Sequence, residues 1–378
     1  MIPIFKAKMN KDEILLELGK IFDAGWVGLG PKTKEFEEKF AKYIGAKYAV
    51  ATNSATAALH LANMVLGIKK GDEVIVPAMT FVSTALASLY CGAKPVFADV
   101  EEDTLCIDPK DIEKKITKKT KAIIPVHFGG HACKMDEILR ISKKYNLPVI
   151  EDAAHACGAK YVTTKKNKML GSIGKIGCFS FHAVKNLPTG DGGMIVTNDK
   201  KIYKDLLKLR WVGIDKSTWQ RSSSSKYSWQ YSVDELGFKY HMNDITAVIG
   251  IAQLKVLDKH NFIRRKYAKK YNEALKDIKW ITVPVEKEYA FSSRHNYVIK
   301  TPKRNELNKF LAERGISTGV HYEPVNHYKI FGVSKSKLPV AEKIWKNLLT
   351  LPLYPDMTEK DFKKIITEIL RFAKINKL

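Results

Sequence analysis

Gly177-Cys178-Phe179-Ser180-Phe181-His182-Ala183-Val184-Lys185-Asn186-Leu187-Pro188-Thr189-Gly190-Asp191-Gly192-Gly193-Met194 is a short apolar run that carries one lysine into a glycine-rich turn. Met194-Ile195-Val196-Thr197 then reads as a strand. Among aromatic and small residues, Lys185 lies on no obvious solvated face. An ammonium withdrawn from water favours its neutral form, so its pKa falls. A neutral amine is what a Schiff-base lysine needs. The plain alternative is a surface lysine at a strand end, in a chain that has 64 Lys and Arg. The rest of the chain has to decide between the two.

Upstream of this stretch, strands alternate with helical patterns. Tyr48–Ala51, Glu73–Pro77, Pro95–Ala98, Lys121–Val126 and Leu147–Glu151 read as strands, and 57–66, 83–90, 109–116 and 135–145 as helices. Before them, 11–24 and 32–44 read as helices, the second with Phe36, Phe40 and Tyr43 on one face. This alternation predicts an α/β fold: a large three-layer domain with a mostly parallel sheet. In such sheets ligands bind beyond the carboxyl ends of the strands. Asn53-Ser54, Asp152 and the Lys185 stretch all fall at or near predicted strand ends. Downstream, 201–210 and Asn243–Leu257 read as helices, with a polar connection at 211–236 that includes Ser222-Ser223-Ser224-Ser225. At 26 residues that connection is longer than an ordinary one. From about 256 the pattern becomes lysine-rich helix, strand (294–299), helix (305–314), strand (317–322) and a final helix (359–375). The predicted division is therefore 1–255, large domain, and 256–378, a smaller C-terminal α+β domain with which the N-terminal segment can pack.

Composition narrows the function classes. At roughly 100–200 residues per domain, 378 residues suit this two-part division. No apolar run reaches the roughly 18 residues that a membrane helix needs. Met1-Ile2-Pro3-Ile4-Phe5-Lys6 lacks the features of a signal peptide, so the expected location is cytoplasmic. Cys91, Cys106, Cys133, Cys157 and Cys178 are odd in number and form no C-x-x-C pair, so free thiols are expected, and no metal site. The formal charge of +24 is spread along the chain rather than clustered in one arm. It reads as a means of attracting an anionic substrate, not as a nucleic-acid-binding surface.

Four features share one purpose. Asp152, in Val149-Ile150-Glu151-Asp152-Ala153-Ala154-His155, follows a strand, and a carboxylate there can hold a ring nitrogen protonated. Asn53-Ser54-Ala55-Thr56-Ala57-Ala58 is a strand-to-helix turn whose free N–H groups suit a phosphate. Phe81, in Pro77-Ala78-Met79-Thr80-Phe81-Val82, can lie on a planar ring. His155 can hydrogen-bond a ring oxygen. Each has an ordinary structural reading: helix cap for Asp152 and Ser54, core packing for Phe81 and His155. Together with Lys185 they make the parts of a pyridoxal phosphate (PLP) site.

On these residues, and on Gly30-Pro31 with Phe36-Glu37, Gly192-Gly193-Met194 and Gly237-Phe238-Lys239-Tyr240-His241-Met242-Asn243-Asp244-Ile245, the chain resembles the DegT/StrS family of sugar-nucleotide aminotransferases, within the aspartate aminotransferase superfold. The resemblance implies that Lys185 attaches the cofactor and Asp152 pairs with the pyridinium. It places His155 near the ring hydroxyl and Phe81 on the ring, with Ser180, Ala55 and Thr56 at the phosphate. It also implies a homodimer in which the turn at 239–243 reaches the partner's phosphate. Family members often read Gly-x-Asn-x-Arg there, which leaves open whether Lys239 or His241 makes the contact. Gly28, Leu29, His182, His321, Tyr322 and His327 are the implied substrate residues. The implied reaction moves an amino group from L-glutamate to a keto-sugar nucleotide, with no nucleic-acid or membrane partner. A dehydratase of the same family is a competing reading, opposed by the presence of Lys185. A non-catalytic regulator, suggested by the charge, is another.

Overall fold

The protein is described by a computed structural model covering residues 1–164, 166–216, 218–222, 229–332 and 338–377. Apart from the backbone of Ser222, the serine run lies outside the described residues. The chain opens with α1 (Lys11–Ala24) and α2 (Pro31–Ile44). In α2 the 3.6-residue period puts Phe36, Phe40 and Ile44 on a fully buried face. There follow β1 (Tyr48–Thr52), α3 (Ala55–Val65), β2 (Glu73–Pro77), α4 (Ser83–Tyr90), β3 (Lys94–Ala98), α5 (Pro109–Lys115), β4 (Thr120–Ile123), α6 (Met135–Tyr145) and β5 (Ile150–Asp152). Two short strands, β6 (Lys160–Tyr161) and β7 (Lys168–Met169), precede β8 (Ile176–Ser180) and β9 (Gly193–Thr197).

The ladders β3-β2-β4 and β5-β8-β9-β1 are joined by bridges Ile123–Val149 and Val126–Asp152, giving the order β3-β2-β4-β5-β8-β9-β1. All run parallel except β9, which is antiparallel to both neighbours. This is the mostly parallel α/β sheet expected from the alternation. Val74, Ile75 and Val76 in β2 are all fully buried, as expected for a strand covered on both faces. The stretch around Lys185 is the connection between two paired antiparallel strands, β8 and β9. Both strands therefore anchor the loop that carries the lysine.

After β9 come α7 (Lys200–Leu209), the short α8 (Thr218–Ser222) and α9 (Asp244–Leu275). The connection between α7 and α9 is thus not wholly irregular: besides α8 it makes single bridges Trp211–Lys239 and Ile214–Val233. The helix expected at Asn243–Leu257 and the lysine-rich helix expected from about 256 are one continuous element, α9. Its buried positions Leu257, His260, Asn261, Arg264, Ala268, Tyr271 and Leu275 keep the helical period under a lysine-rich outer face. Across 255/256 this one helix gives Ala247, Ile251 and Leu257 to the core under the large sheet, and Tyr267, Tyr271 and Leu275 to a second core.

The remaining elements are β10 (Ala290–Phe291), which pairs with β6, then β11 (Tyr297–Lys300), α10 (Arg304–Ala312), α11 (Pro339–Ile344), β12 (Leu348–Leu351) and α12 (Glu359–Ile375). Strands β11 and β12 pair antiparallel over the second core, and Ile2 joins that core beside Ile316. The strand expected at 317–322 is only a bridge between Gly319 and Thr350. Beyond it the His321 side chain, through Nδ1, bonds Thr350 Oγ1 at 2.8 Å, where a longer ladder would need backbone pairing.

Candidate active site

The carboxyl ends of β1, β5 and β8 bring the expected residues together. Gly193 opens β9 and pairs with Thr52 on one side and Ser180 on the other. A Cβ at Gly193 would lie 2.5 Å from the Ser54 carbonyl, so only glycine lets β9 pass this close to the turn that starts α3. That close approach brings Ser180 and the Ser54-Ala55-Thr56 turn to one place. Ser54 caps α3 by accepting from Ala57 N at 3.1 Å, and Ala55 and Thr56 follow at its N-terminus. Thr56 Oγ1 lies 2.7 Å from Ser83 Oγ at the start of α4.

Asp152 ends β5 and is buried. Its Oδ2 accepts from Thr84 Oγ1 at 2.8 Å and its Oδ1 from Ala154 N at 3.1 Å. Burial pushes its carboxyl pKa up, while the Thr84 and Ala154 hydrogen bonds and the charge of Lys185 pull it down. Thr84 is a residue that sequence reasoning missed. It is a fully conventional helix residue until the first turn of α4 is seen to meet the end of β5.

Lys185 sits in deep protein surroundings, yet its side chain is only half-buried and stays open to solvent. Burial lowers its pKa from 10.5 to about 8, and the charge of Asp152 opposes the shift. An amine with that pKa is partly neutral at physiological pH, as the sequence reading required.

His155 is buried one turn beyond Asp152. Its Nδ1 accepts from Gly129 N at 3.3 Å, so Nε2 carries the proton toward Tyr322 Oη, 3.2 Å away. Burial, with the nearby Lys185 charge, holds its pKa well below the usual histidine range. Phe81 stands beyond β2 with 57% of its surface exposed, and its ring centroid is 6.5 Å from that of Tyr322. His321 is also kept neutral, with its pKa lowered to about 4 by burial and by Lys185. Lys185 therefore faces an environment in which His155 and His321 add no competing positive charge.

The other expected residues fall elsewhere. His182 is exposed at the start of the Lys185 loop, and its carbonyl accepts from Lys185 N at 2.8 Å. Gly28 and Leu29 lead into α2; the Gly28 carbonyl accepts from Asp244 N at 2.8 Å, and Leu29 lines a cavity of about 580 Å³ with Trp211 and Trp219. Both ring nitrogens of His327 are taken by carboxylates, Nδ1 by Glu323 at 2.8 Å and Nε2 by Glu342 at 2.7 Å. The structure does not bring it to Lys185 with His321 and Tyr322. The run 239–241 lies along the β1–α3 turn of its own chain: Asn53 N donates to Tyr240 O at 2.7 Å, and Thr52 bridges His241. Lys239 is exposed, its Nζ 3.5 Å from the centroid of the Trp211 ring.

This donor set suits PLP. One buried carboxylate, held by Thr84 and Ala154, keeps lone pairs for a cationic ring nitrogen. A helix N-terminus with a neighbouring serine suits a phosphate, an exposed phenyl ring suits a planar face, and a lysine poised near neutrality suits attachment. Among the described residues no group of His, Cys, Asp and Glu side chains could hold a metal ion. Among the same described residues no helix is long and apolar enough to cross a membrane.

The sequence matches the model of the DegT/DnrJ/EryC1/StrS aminotransferase family over residues 8–370. It is 41% identical over 384 residues to SpsC of Bacillus subtilis, a spore coat polysaccharide biosynthesis protein, covering 99% of this chain and 97% of SpsC. The aminotransferase TlmJ from Streptoalloteichus hindustanus has the same fold, with a TM-score of 0.92 and 30% identity over 100% of both chains. Spr1654 of Streptococcus pneumoniae in its PMP form gives 0.91 at 31% identity over 99% of each chain, and is also solved in a PLP form.

Proposed function

The chain belongs to the DegT/DnrJ/EryC1/StrS aminotransferase family and is a PLP-dependent sugar aminotransferase; from that premise we propose that it moves an amino group from L-glutamate to a keto-sugar nucleotide. The favoured acceptor is a 4-keto-6-deoxyhexose linked to UDP, dTDP or GDP, and the product an amino sugar for surface polysaccharide or a related glycan. The observation that carries this reading is Lys185, an amine with its pKa lowered to about 8 beside the buried carboxylate of Asp152. SpsC, a polysaccharide biosynthesis protein similar over nearly the whole chain, supports the sugar pathway. The excess of cations supports an anionic, diphosphate-bearing substrate.

PLP, when bound, supplies an electron sink for the carbon that loses or gains the amino group. Asp152 holds the ring nitrogen as a cation, because a carboxylate with few donors of its own favours a charged partner. The free N–H groups at the start of α3, with Ser180, hold the phosphate. His155, which donates through Nε2 to Tyr322 Oη, would by the resemblance stand near a ring oxygen, and the Tyr322 hydroxyl would then have its own proton to offer. Lys185 Nζ, neutral in part, takes a proton from the substrate carbon and later returns one to the corresponding carbon of the sugar. His321 and Tyr322 stand beside His155 and are the substrate residues this reading favours, and Gly28, Leu29 and His182 would join them only by the resemblance. In this reading the enzyme is a cytoplasmic homodimer, with Lys239 or His241 of each subunit completing the other's phosphate site.

The test is incubation of the holoenzyme with L-glutamate and a panel of UDP-, dTDP- and GDP-linked keto-sugars. One 2-oxoglutarate released per amino sugar formed is expected with at least one acceptor. Conversion of the sugar without 2-oxoglutarate would instead assign a dehydratase or aromatising activity.

A further inference from the structure

Lys185 lies on the loop between β8 and β9 and Asp152 at the end of β5, so their separation depends on how that loop is tied down beyond its two strands. Asn186, the residue after the lysine, is buried with 4% of its surface exposed. Its Nδ2 donates both hydrogens, to Asn261 Oδ1 at 2.7 Å and to Ser293 O at 3.0 Å. Its Oδ1 lies 3.0 Å from His295 Nδ1 and must accept there, which fixes the proton of His295 on Nδ1. Asn261 in turn donates through Nδ2 to Cys157 O at 3.0 Å. The bonds therefore run in one direction, from His295 through Asn186 and Asn261 to Cys157. Cys157 closes the segment that begins at Asp152. A Cβ at Gly158, which has a φ of +86°, would lie 2.3 Å from Asn261 Nδ2, so the chain here is shaped around this side chain. A second strut runs beside the first: Ser293 Oγ donates to His155 O at 2.9 Å. His295 is itself clamped, with its N–H on Gly129 O at 3.0 Å and its ring stacked on Phe5, centroids 5.5 Å apart.

We propose that Asn186 is the positioning residue that sets Lys185 against Asp152, oriented by Asn261 and by the Nδ1 proton of His295. It touches neither substrate nor cofactor. It joins the lysine loop to the segment carrying Asp152 and His155, and ties both to α9 and to the chain before β11. Substitution of Asn186 by alanine leaves two acceptors and one donor buried without partners and lets the lysine loop move independently of Asp152. A displacement of the order of 1 Å costs roughly a hundredfold in rate when reacting groups must align.

The inference rests on the aminotransferase reading, so its test uses cofactor attachment as well as turnover. The variants are Asn186→Ala, His295→Leu, which removes the donor, and His295→Asn, whose amide can replace Nδ1–H. Each is loaded with PLP and treated with borohydride, and the PLP trapped on Lys185 is measured by peptide mass beside kcat, KM and the thermal midpoint. Asn186→Ala and His295→Leu are expected to lower kcat by about ten- to a hundredfold, with KM within about threefold, and to slow trapping on Lys185. His295→Asn is expected to restore both. Equal loss in His295→Leu and His295→Asn, or wild-type trapping and kcat in His295→Leu, overturns the positioning role. Failure of the wild type itself to trap PLP on Lys185 overturns the cofactor reading beneath it.

Discussion

Lys185 is the residue on which the proposed chemistry turns, and its lowered pKa makes two predictions. Lys185→Arg keeps a cation of similar reach but cannot supply a neutral amine at physiological pH. Turnover should fall by about a thousandfold or more, with the circular dichroism spectrum unchanged; near-normal turnover would remove Lys185 from the mechanism. The second prediction concerns stability. The folded pKa of about 8 lies below the ordinary 10.5. Between those values the unfolded chain binds the proton and the folded chain does not, so stability rises with pH through this window; below about 8 the cost of burying the ammonium is present in full. Other lysines and tyrosines titrate nearby, so the comparison is with Lys185→Met in the cofactor-free enzyme. The variant's advantage in urea midpoint should be largest at pH 7 and shrink by pH 10. An advantage that does not change with pH would mean that the amine is not depressed.

Asp244 belongs to α9, yet its carboxylate is spent on another element. Oδ1 accepts from Gly30 N at 3.0 Å, Thr33 N at 2.8 Å and Thr33 Oγ1 at 2.7 Å, and Oδ2 from Lys32 N at 3.0 Å. These are the orphan donors at the start of α2, which Gly30 has no side chain to cap. Asp244→Ala leaves them without a partner in a buried site, at a cost of about 3–5 kcal/mol, read as a lower urea midpoint; Asp244→Asn, which keeps an acceptor, should lose less. A loss below about 0.5 kcal/mol, the level of an ordinary surface change, would sink the assignment. This contact also marks what a single sequence can express. Phe36 and Phe40 on one face, the strand runs and a helix start at Asn243 (Thr246 N donates to Asn243 Oδ1 at 2.8 Å) are local and readable, although the third member of the face is Ile44, the expected Tyr43 being half-buried. A carboxylate capping a helix more than two hundred residues upstream leaves no local trace. The same holds for Thr84 on Asp152, and for the sheet order, which depends on long-range pairing. Lys185, Asp152 and His155 are legible as candidates because each follows an apolar run at or near a strand end, whereas Ser180 enters only through the family resemblance. The sequence divides α9 at about 256, where lysines begin to crowd its outer face, although one apolar period runs on from Ala247 to Leu275.

On the scale of the whole molecule, the proposed homodimer makes the turn at 239–241 the element that would reach the partner's phosphate. Burial, with the charges of Lys239 and Arg210, lowers the His241 pKa to about 4, so this ring is neutral at physiological pH, and its Nδ1 is buried without a partner. Lys239, exposed over Trp211, is the cation of the pair. On α1 the chain leaves apolar side chains in water: Leu15, Leu16 and Phe22 are 57%, 61% and 60% exposed. A symmetric dimer that covers such surface and lets each Lys239 reach the other subunit's phosphate makes a prediction that a monomeric site does not. Lys185→Ala lacks the attaching lysine but keeps Lys239, and Lys239→Ala has the reverse defect. When the two variants are unfolded together and refolded, the mixed dimer contains one site with Lys185 from one chain and Lys239 from the other. The mixture should then exceed the mean of its parents in both transamination and PLP retention, and dilution until the dimer of the 42.7 kDa chains dissociates should release PLP as activity falls. A mixture that only averages its parents would place Lys239 at the phosphate of its own subunit, or at none.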